Sequence, residues 1–388
     1  MSKLYPELLF ITILLMLSSC EKDKDAPCNL FFSTQEEVDN FNQSQIYGDL
    51  TISGEFIRDL TPLSKIEHIH GSLFIRDNDM LKSLSGLENL KSIDSTLYIS
   101  DNFALADLTG LSRLEYVGNF ICIDSNQKLS SLSGLISLEQ FTGYFSIYRN
   151  SSLTTIKGIN ISLPFTLDIA FNKNLEYIWF PAHIKVLNTL NISHNASIKT
   201  LQGLENLEKI KGNLTIANNS GLSLLKGLEN IEEISGSLWI SDNKTLTDFR
   251  GLNNLRNIGG DFVADNNNNL KNFEGLGHLT RIQGNFEIDT NHQMENLLGL
   301  NSLEIIGGSL IIENNPVLES LQGLESLISI SDQIFVGGTT DFLAPNPKLT
   351  NFCPISEIIL NKDDSKVSIF NNGYNPTKED LKKGNCKK

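Results

Sequence analysis

The carboxylates, histidines and cysteines are the side chains here that could do chemistry, and their spacing limits which chemistry is open. Asp77, Asp101, Asp124, Asp242, Asp265 and Asp289 each stand one or two residues before an asparagine. Lined up in neighbouring segments they would offer oxygen ligands to calcium. They shift between the two positions, however, and the glycine-rich calcium repeat is missing. His68 and His70 alternate, as two residues on one face of a strand would. No cysteine or third histidine accompanies them, so a hydrogen-bonded role is favoured over a metal site. No C-x-x-C occurs either, which leaves zinc and dithiol redox chemistry without support. Neither a cofactor nor a metal is expected.

The five cysteines suit an exported chain. Residues 1–19 carry Lys3, the apolar run Leu8 to Leu17 and then small residues, a short export signal rather than a membrane span. Leu17-Ser18-Ser19-Cys20 resembles a bacterial lipobox, so Cys20 is expected to be acylated and to begin the mature chain. Residues 20–27 then form a charged tether through Glu21-Lys22-Asp23-Lys24-Asp25. Cys353 and Cys386 flank a non-repeating segment, 353–388, which a disulfide could close. Cys28 and Cys122 are left over. The expected location is the outer membrane, lipid-anchored and exposed at the cell surface.

The elements that must position these groups follow from a repeat. Gly-Leu recurs at 86, 110 and 134, Gly158-Ile159 follows, and Gly-Leu resumes at 203, 227, 251, 275, 299 and 323. Steps within each block are 24 residues, a period that signals a solenoid. One coil reads roughly I-x-G-N-L-x-I-x-x-N-x-x-L-x-x-L-x-G-L-x-x-L-x-x. The L-x-I triplet is strand-like, while the spacings of three that follow suit tight turns. So short a coil has little room for a helix of about ten residues or more. The expected fold is all-β: one elongated right-handed β-solenoid over 28–352, capped at both ends by short helices. Thirteen triplets, from Leu50-Thr51-Ile52 to Ile334-Phe335-Val336, would stack to about 60 Å at about 4.8 Å per strand.

Three residues after each triplet stand Asn78, Asn102, Asn126, Asn150, Asn172, Asn195, Asn219, Asn243, Asn267, Asn291 and Asn315. A corner turns backbone amides and carbonyls inward, and each left unpaired would cost about 1–3 kcal/mol. A buried amide side chain donates and accepts, so it can serve its own coil and the next. Asn also accepts left-handed turn geometry. The column is read as a structural asparagine ladder.

With I-x-G-[NSD]-L-x-I returning at 210–216, 234–240, 282–288 and 306–312, the chain resembles the receptor L domain, the β-solenoid module of insulin- and EGF-receptor ectodomains. Related repeats occur in bacterial surface lipoproteins. "CNLFFSTQEEVDNF" is similar to that family's cap, with Thr34 and Glu37 in a capping-box pattern and Val38 and Phe41 as its apolar face. The second cysteine of that cap is absent near Ile46-Tyr47-Gly48. At the other end, Asn375-Pro376-Thr377 with Leu381 and Gly384 predicts a closing helix.

If the outer members of each triplet face inward, the middle ones face solvent. Down the stack they read Thr51, Phe74, Tyr98, Cys122, Ser146, Asp168, Asn191, Thr215, Trp239, Val263, Glu287, Ile311 and Phe335. Charged members would be intolerable in a core, which sets the register. In receptors of the resembling family the corresponding face meets a protein ligand. Phe74 with Tyr98, and Trp239 with Val263, Ile311 and Phe335, are the candidate ligand-binding residues, although exposed aromatics also stack simply as good strand formers. Residues 165–187, with Trp179-Phe180-Pro181 where Gly-Leu belongs, are expected to bulge from the array, as a second contact or merely as a degenerate coil.

The net charge of −15, without any run of Lys and Arg, argues against nucleic acid. The favoured function is a surface-anchored, monomeric binding or adhesion lipoprotein for a protein or glycan. It would meet the membrane only through its lipid. A structural envelope element is the alternative. A β-helix carbohydrate-active enzyme is disfavoured, because Asp168 and Glu287 lie several coils apart where catalysis needs converging carboxylates.

Overall fold

A computed structural model of the chain describes residues 28–338 and 346–388. Cys20 and the segments 1–19 and 20–27 lie outside the described residues. The chain winds through about thirteen coils of about 24 residues, so the fold is mostly β with few short helices, as expected. Each triplet lies in one long parallel sheet whose neighbours follow chain order, from Leu50–Ile52 to Ile334–Gly337. Leu30–Phe32 adds a strand before them and Val367–Phe370 one after, giving 15 strands. The last was not legible as a strand, because it lies in the non-repeating segment. A second row of two-residue strands stacks on another face of the coil and is broken into sheets of four, two and seven strands.

The alternation inside the triplet decides the core. Leu238 and Ile240 have no exposed surface while Trp239 between them is 43 % exposed. The residues spaced by three supply the remaining core columns through tight turns. Leu81 N–H reaches Asn78 O at 3.1 Å, Leu87 reaches Leu84 O at 3.1 Å and Leu90 reaches Leu87 O at 3.0 Å. Each such Leu is fully buried, a contribution of about 1.5–3 kcal/mol apiece. Gly227 shows why the Gly-Leu step needs glycine. Its φ is +115°, and a Cβ there would lie 1.9 Å from Leu201 O in the coil before.

The asparagine column is a ladder in fact. All eleven predicted members have no exposed surface. Asn219 Nδ2 donates to Ile192 O at 2.8 Å in the preceding coil, and Asn219 Oδ1 accepts the backbone N–H of Asn195 at 3.0 Å. Its own backbone N–H donates to Asn243 Oδ1 at 3.1 Å, and so on down the stack. The ladder also runs further than the repeat. Asn315 N–H reaches Asn346 Oδ1 at 2.8 Å, and Asn346 Nδ2 reaches Asn372 Oδ1 at 3.0 Å. Irregular spacing hid those two. One expectation needs correction: the left-handed residue is not the ladder Asn but the one before it, as in Asn218 at φ +57° and Asp242 at φ +57°.

The irregular stretch 165–187 does not bulge. Thr166–Ala170 holds its place in the main sheet, and Phe165, Phe180 and Ile184 are core residues. The ladder bond from Asn150 N–H to Asn172 Oδ1 spans 22 residues and the next spans 23, so these coils are shortened rather than inserted.

Both ends are lidded. The helix Gln35–Asp39 starts with the predicted Thr34–Glu37 capping box and buries Val38. The helix Lys378–Lys382 starts with a second box, Thr377 with Asp380, and buries Leu381. Cys353 and Cys386 are joined as a disulfide, and a further helix, Ser356–Asn361, packs beside them. Of the two cysteines left over, Cys28 packs against the core, whereas Cys122 is free and buried.

Replacing Asn219 by Leu should strand the carbonyl of Ile192 and the N–H of Asn195. The expected loss is on the order of 1–3 kcal/mol for each group left unpaired. Urea unfolding followed by circular dichroism reads it, and an unchanged midpoint would count against the ladder as a brace.

Candidate ligand-binding face

Parallel pairing brings the middle members of the triplets into one column, because each is directly opposite the next: Phe74 with Tyr98, Thr215 with Trp239, Trp239 with Val263 and Ile311 with Phe335. The column divides into three zones. At one end the rings of Phe74 and Tyr98 lie 6.1 Å apart. In the middle come Cys122, Ser146, Asp168, Asn191 and Thr215, paired strand to strand. Toward the other end come Trp239, Val263, Glu287, Ile311 and Phe335. The four apolar candidates there do not form one patch, since Glu287 separates Val263 from Ile311. Phe335 gains a neighbour absent from the repeat, Phe370, edge-on at 5.5 Å.

Carboxylates border this last zone. Asp265, Asp289 and Glu313 are opposite one another in three successive strands. Burial, followed by repulsion from Asp289, Asp242 and Glu287, raises the Asp265 carboxyl to about 6. Glu287 and Glu313 are pushed upward for the same two reasons, burial first. Asp77, Asp101 and Asp242 occupy the left-handed corner position, whereas Asp124, Asp265 and Asp289 end strands. Among the described residues no three His, Cys, Asp or Glu gather as a metal-holding group. His68 Nδ1 lies 2.9 Å from Ser92 Oγ, and His70 stacks on Tyr47 and meets Asp94 at 3.0 Å.

The middle zone carries contacts that triplet reading missed. Tyr144 and Tyr148 lie two residues either side of Ser146, on the same outward face. That parity was available in the sequence. Tyr144 Oη donates to Asp168 Oδ2 at 2.5 Å, and Asn191 Nδ2 donates to Asp168 Oδ1 at 2.6 Å. Arg149 grips the nearly buried Asp124 through Nε at 2.9 Å and Nη2 at 2.5 Å. Burial, with Asp124 nearby, pushes the Cys122 thiol up to about 12, so it stays protonated and is no nucleophile at neutral pH.

The Receptor L domain family model matches residues 43–133 and 206–275. That match and the β-solenoid fit a receptor L-domain-like repeat protein. Between the two matched stretches the L-domain-like array is unbroken, because strand register and ladder both continue through the shortened coils. The Receptor L domain is a binding module rather than an enzyme family, so the role the match carries is ligand binding. No curated protein matches the chain as a relative.

The acidic border sets a pH dependence. A carboxyl whose folded pKa is raised binds more protons folded than unfolded, so stability falls as pH rises through that range. For Asp265 the window runs from about 4 to about 6. Asp265→Asn should therefore raise the melting temperature at neutral pH by on the order of one to a few degrees. The gain should shrink as the pH is lowered toward about 4. Differential scanning calorimetry across that range checks it, and a variant less stable at pH 7 would contradict it.

Proposed function

We propose that this protein is a surface-anchored binding lipoprotein that engages a protein or glycan through the outward face of its main sheet, without chemistry. Trp239 carries the reading: a large ring 43 % exposed, held by a strand whose flanking members are fully buried. A rigid strand presents the ring at little entropic cost, and burying it against a partner contributes roughly 1.5–3 kcal/mol if complete. Interface hot spots are enriched in Trp. Phe74, Tyr98, Val263, Ile311 and Phe335 extend the face on either side.

An enzymatic reading has weaker support. Asp168 and Glu287 are separated by Asn191, Thr215, Trp239 and Val263, five strand spacings or about 24 Å. Paired catalytic carboxylates of glycosidases stand within about 10 Å. Asp265 and Asp289 are adjacent, but they sit on a face, while hollows are found beside and within the C-terminal cap. One of these, of about 370 Å³, is lined by Ile328, Ile330, Ile358 and Lys362.

Anchoring rests on Leu17-Ser18-Ser19-Cys20, with the lipid holding the protein at the outer membrane. Cys20→Ala should move the protein from the membrane pellet to the soluble fraction. Peptide mapping adds a second check, because a thiol cannot carry both an acyl-glyceryl thioether and a disulfide. Finding Cys20 joined to another cysteine, or the variant still pelleted after a high-salt wash, would overturn the anchor.

Trp239→Ala should leave the melting temperature nearly unchanged and weaken binding of a surface partner about tenfold or more. Titration against an identified partner checks this. A strong loss of stability would instead show that the ring packs inside.

A further inference from the structure

The middle zone of the sheet face breaks a local rule in four consecutive coils. The residue before each ladder Asn is left-handed, a conformation that favours Asn, Asp and Gly. Most coils comply, with Asp77, Asp101, Asn218, Asp242, Asn266 and Asn314 at that position. Thr290 and the run Ser125, Arg149, Phe171 and His194 do not; the three bulky members of that run stand at φ +52°, +59° and +57°. A phenylalanine held there is strained, and such strain clusters where structure serves binding. Nor does the Phe171 ring hide in the core, for it remains 42 % exposed. It stacks on His194 at 4.1 Å and lies 4.9 Å from Tyr148, with Arg149 over the Tyr148 ring.

These rings form a ledge along one side of the sheet face. Phe120 and Tyr144, 5.7 Å apart, line the other side. Between the two lies a floor of small and polar residues. Cys122 and Ser146 point outward yet are only 8 % and 9 % exposed, so the flanking side chains shade them. Arg149 neutralises Asp124, while Asp168 keeps its charge and receives hydrogen bonds from Tyr144 and Asn191. What the floor still lacks is a donor. Among the described residues, the one buried side-chain polar atom without a hydrogen-bond partner is Asn191 Oδ1.

We propose that this aromatic-sided floor binds a neutral oligosaccharide. The proposal deepens the reading of the sheet face as a binding surface and rests on it. Sugar hydroxyls supply donors to the free lone pairs of the partly exposed Asp168, and Asn191 Oδ1 beneath the surface gains a partner only if its amide turns toward the ligand. The apolar C–H faces of the pyranose rings lie against Phe171 and Tyr148. Charge favours a neutral ligand over an acidic one, because Arg149 is already held by Asp124 and the remaining carboxylate, Asp168, would repel an anion. A floor bounded by rings on two sides also suits a narrow chain better than a broad protein surface.

The test uses the full chain and a panel of neutral hexasaccharides of glucose, mannose, xylose and N-acetylglucosamine, with a hexauronate and an oligolysine peptide as charged controls. Isothermal titration should show at least one neutral sugar binding. Phe171→Asn suits the left-handed backbone, so its melting temperature should hold while sugar binding falls about tenfold or more. His194→Asn offers the same exchange in the next coil and should act in the same direction. No binding of any neutral hexasaccharide at millimolar concentration overturns the proposal, as does Phe171→Asn binding like the parent. Binding confined to the charged controls also overturns it. If sugars fail but a protein partner is lost on Trp239→Ala, the oligosaccharide falls and the binding face stands. If a partner binds independently of both positions, the face falls too.

Discussion

Each coil must turn a corner directly above the last one, and a corner exposes backbone groups to an interior without water. One buried asparagine amide per coil resolves this. Its Nδ2 donates to a carbonyl of the coil before, and its Oδ1 accepts the N–H of the preceding ladder residue. No apolar side chain can do either. Because each amide bridges two coils, the chain cannot shift one coil against its neighbour without stranding buried groups. The ladder is therefore both a brace and a register mark, and it explains why Asn persists where the Leu columns tolerate Ile, Phe and Met.

With register held, the two sides of the main sheet divide the labour. The outer members of every triplet join the columns spaced by three in a continuous core, where Phe262 and Phe286 of the strands pack with Phe249 and Phe273 of the turns. The middle members are released from packing and vary freely in polarity. Their sequence along the stack, aromatic, then polar, then apolar with an acidic border, is thus a pattern of surface chemistry laid on a constant frame. The parallel strands place neighbouring residues about 4.8 Å apart, so a ligand several residues long meets several coils at once.

Stability is given up on this face rather than in the core. Asp265, Asp289 and Glu313 repel one another along adjacent strands, and Phe171 holds a backbone conformation suited to Asn. Neither feature helps the solenoid stand. Locating such costs on one surface while every core column stays well packed is consistent with selection for recognition there.

Much of this was legible in the chain itself. The period of 24 residues, the alternation in L-x-I, the Asn column, the Thr34–Glu37 capping box and the closing C-terminal helix are local patterns, legible from short stretches of sequence. Where the spacing faltered, reading along the chain failed. Asn346 and Asn372 join the ladder from irregular positions, and Val367–Phe370 completes the sheet from a segment without repeat. Residues 165–187, expected to bulge, lie in the array because two shortened coils conserve their core residues and lose only turn residues. The middle zone shows the same division most clearly. Types and parity placed Tyr148 outward, but only contacts between coils could stack Phe171 against it, turn Tyr144 onto Asp168 and leave Asn191 Oδ1 without a donor. Side chains some 23 residues apart meet there through the winding of the backbone, and no spacing along the chain expresses the angle at which they arrive.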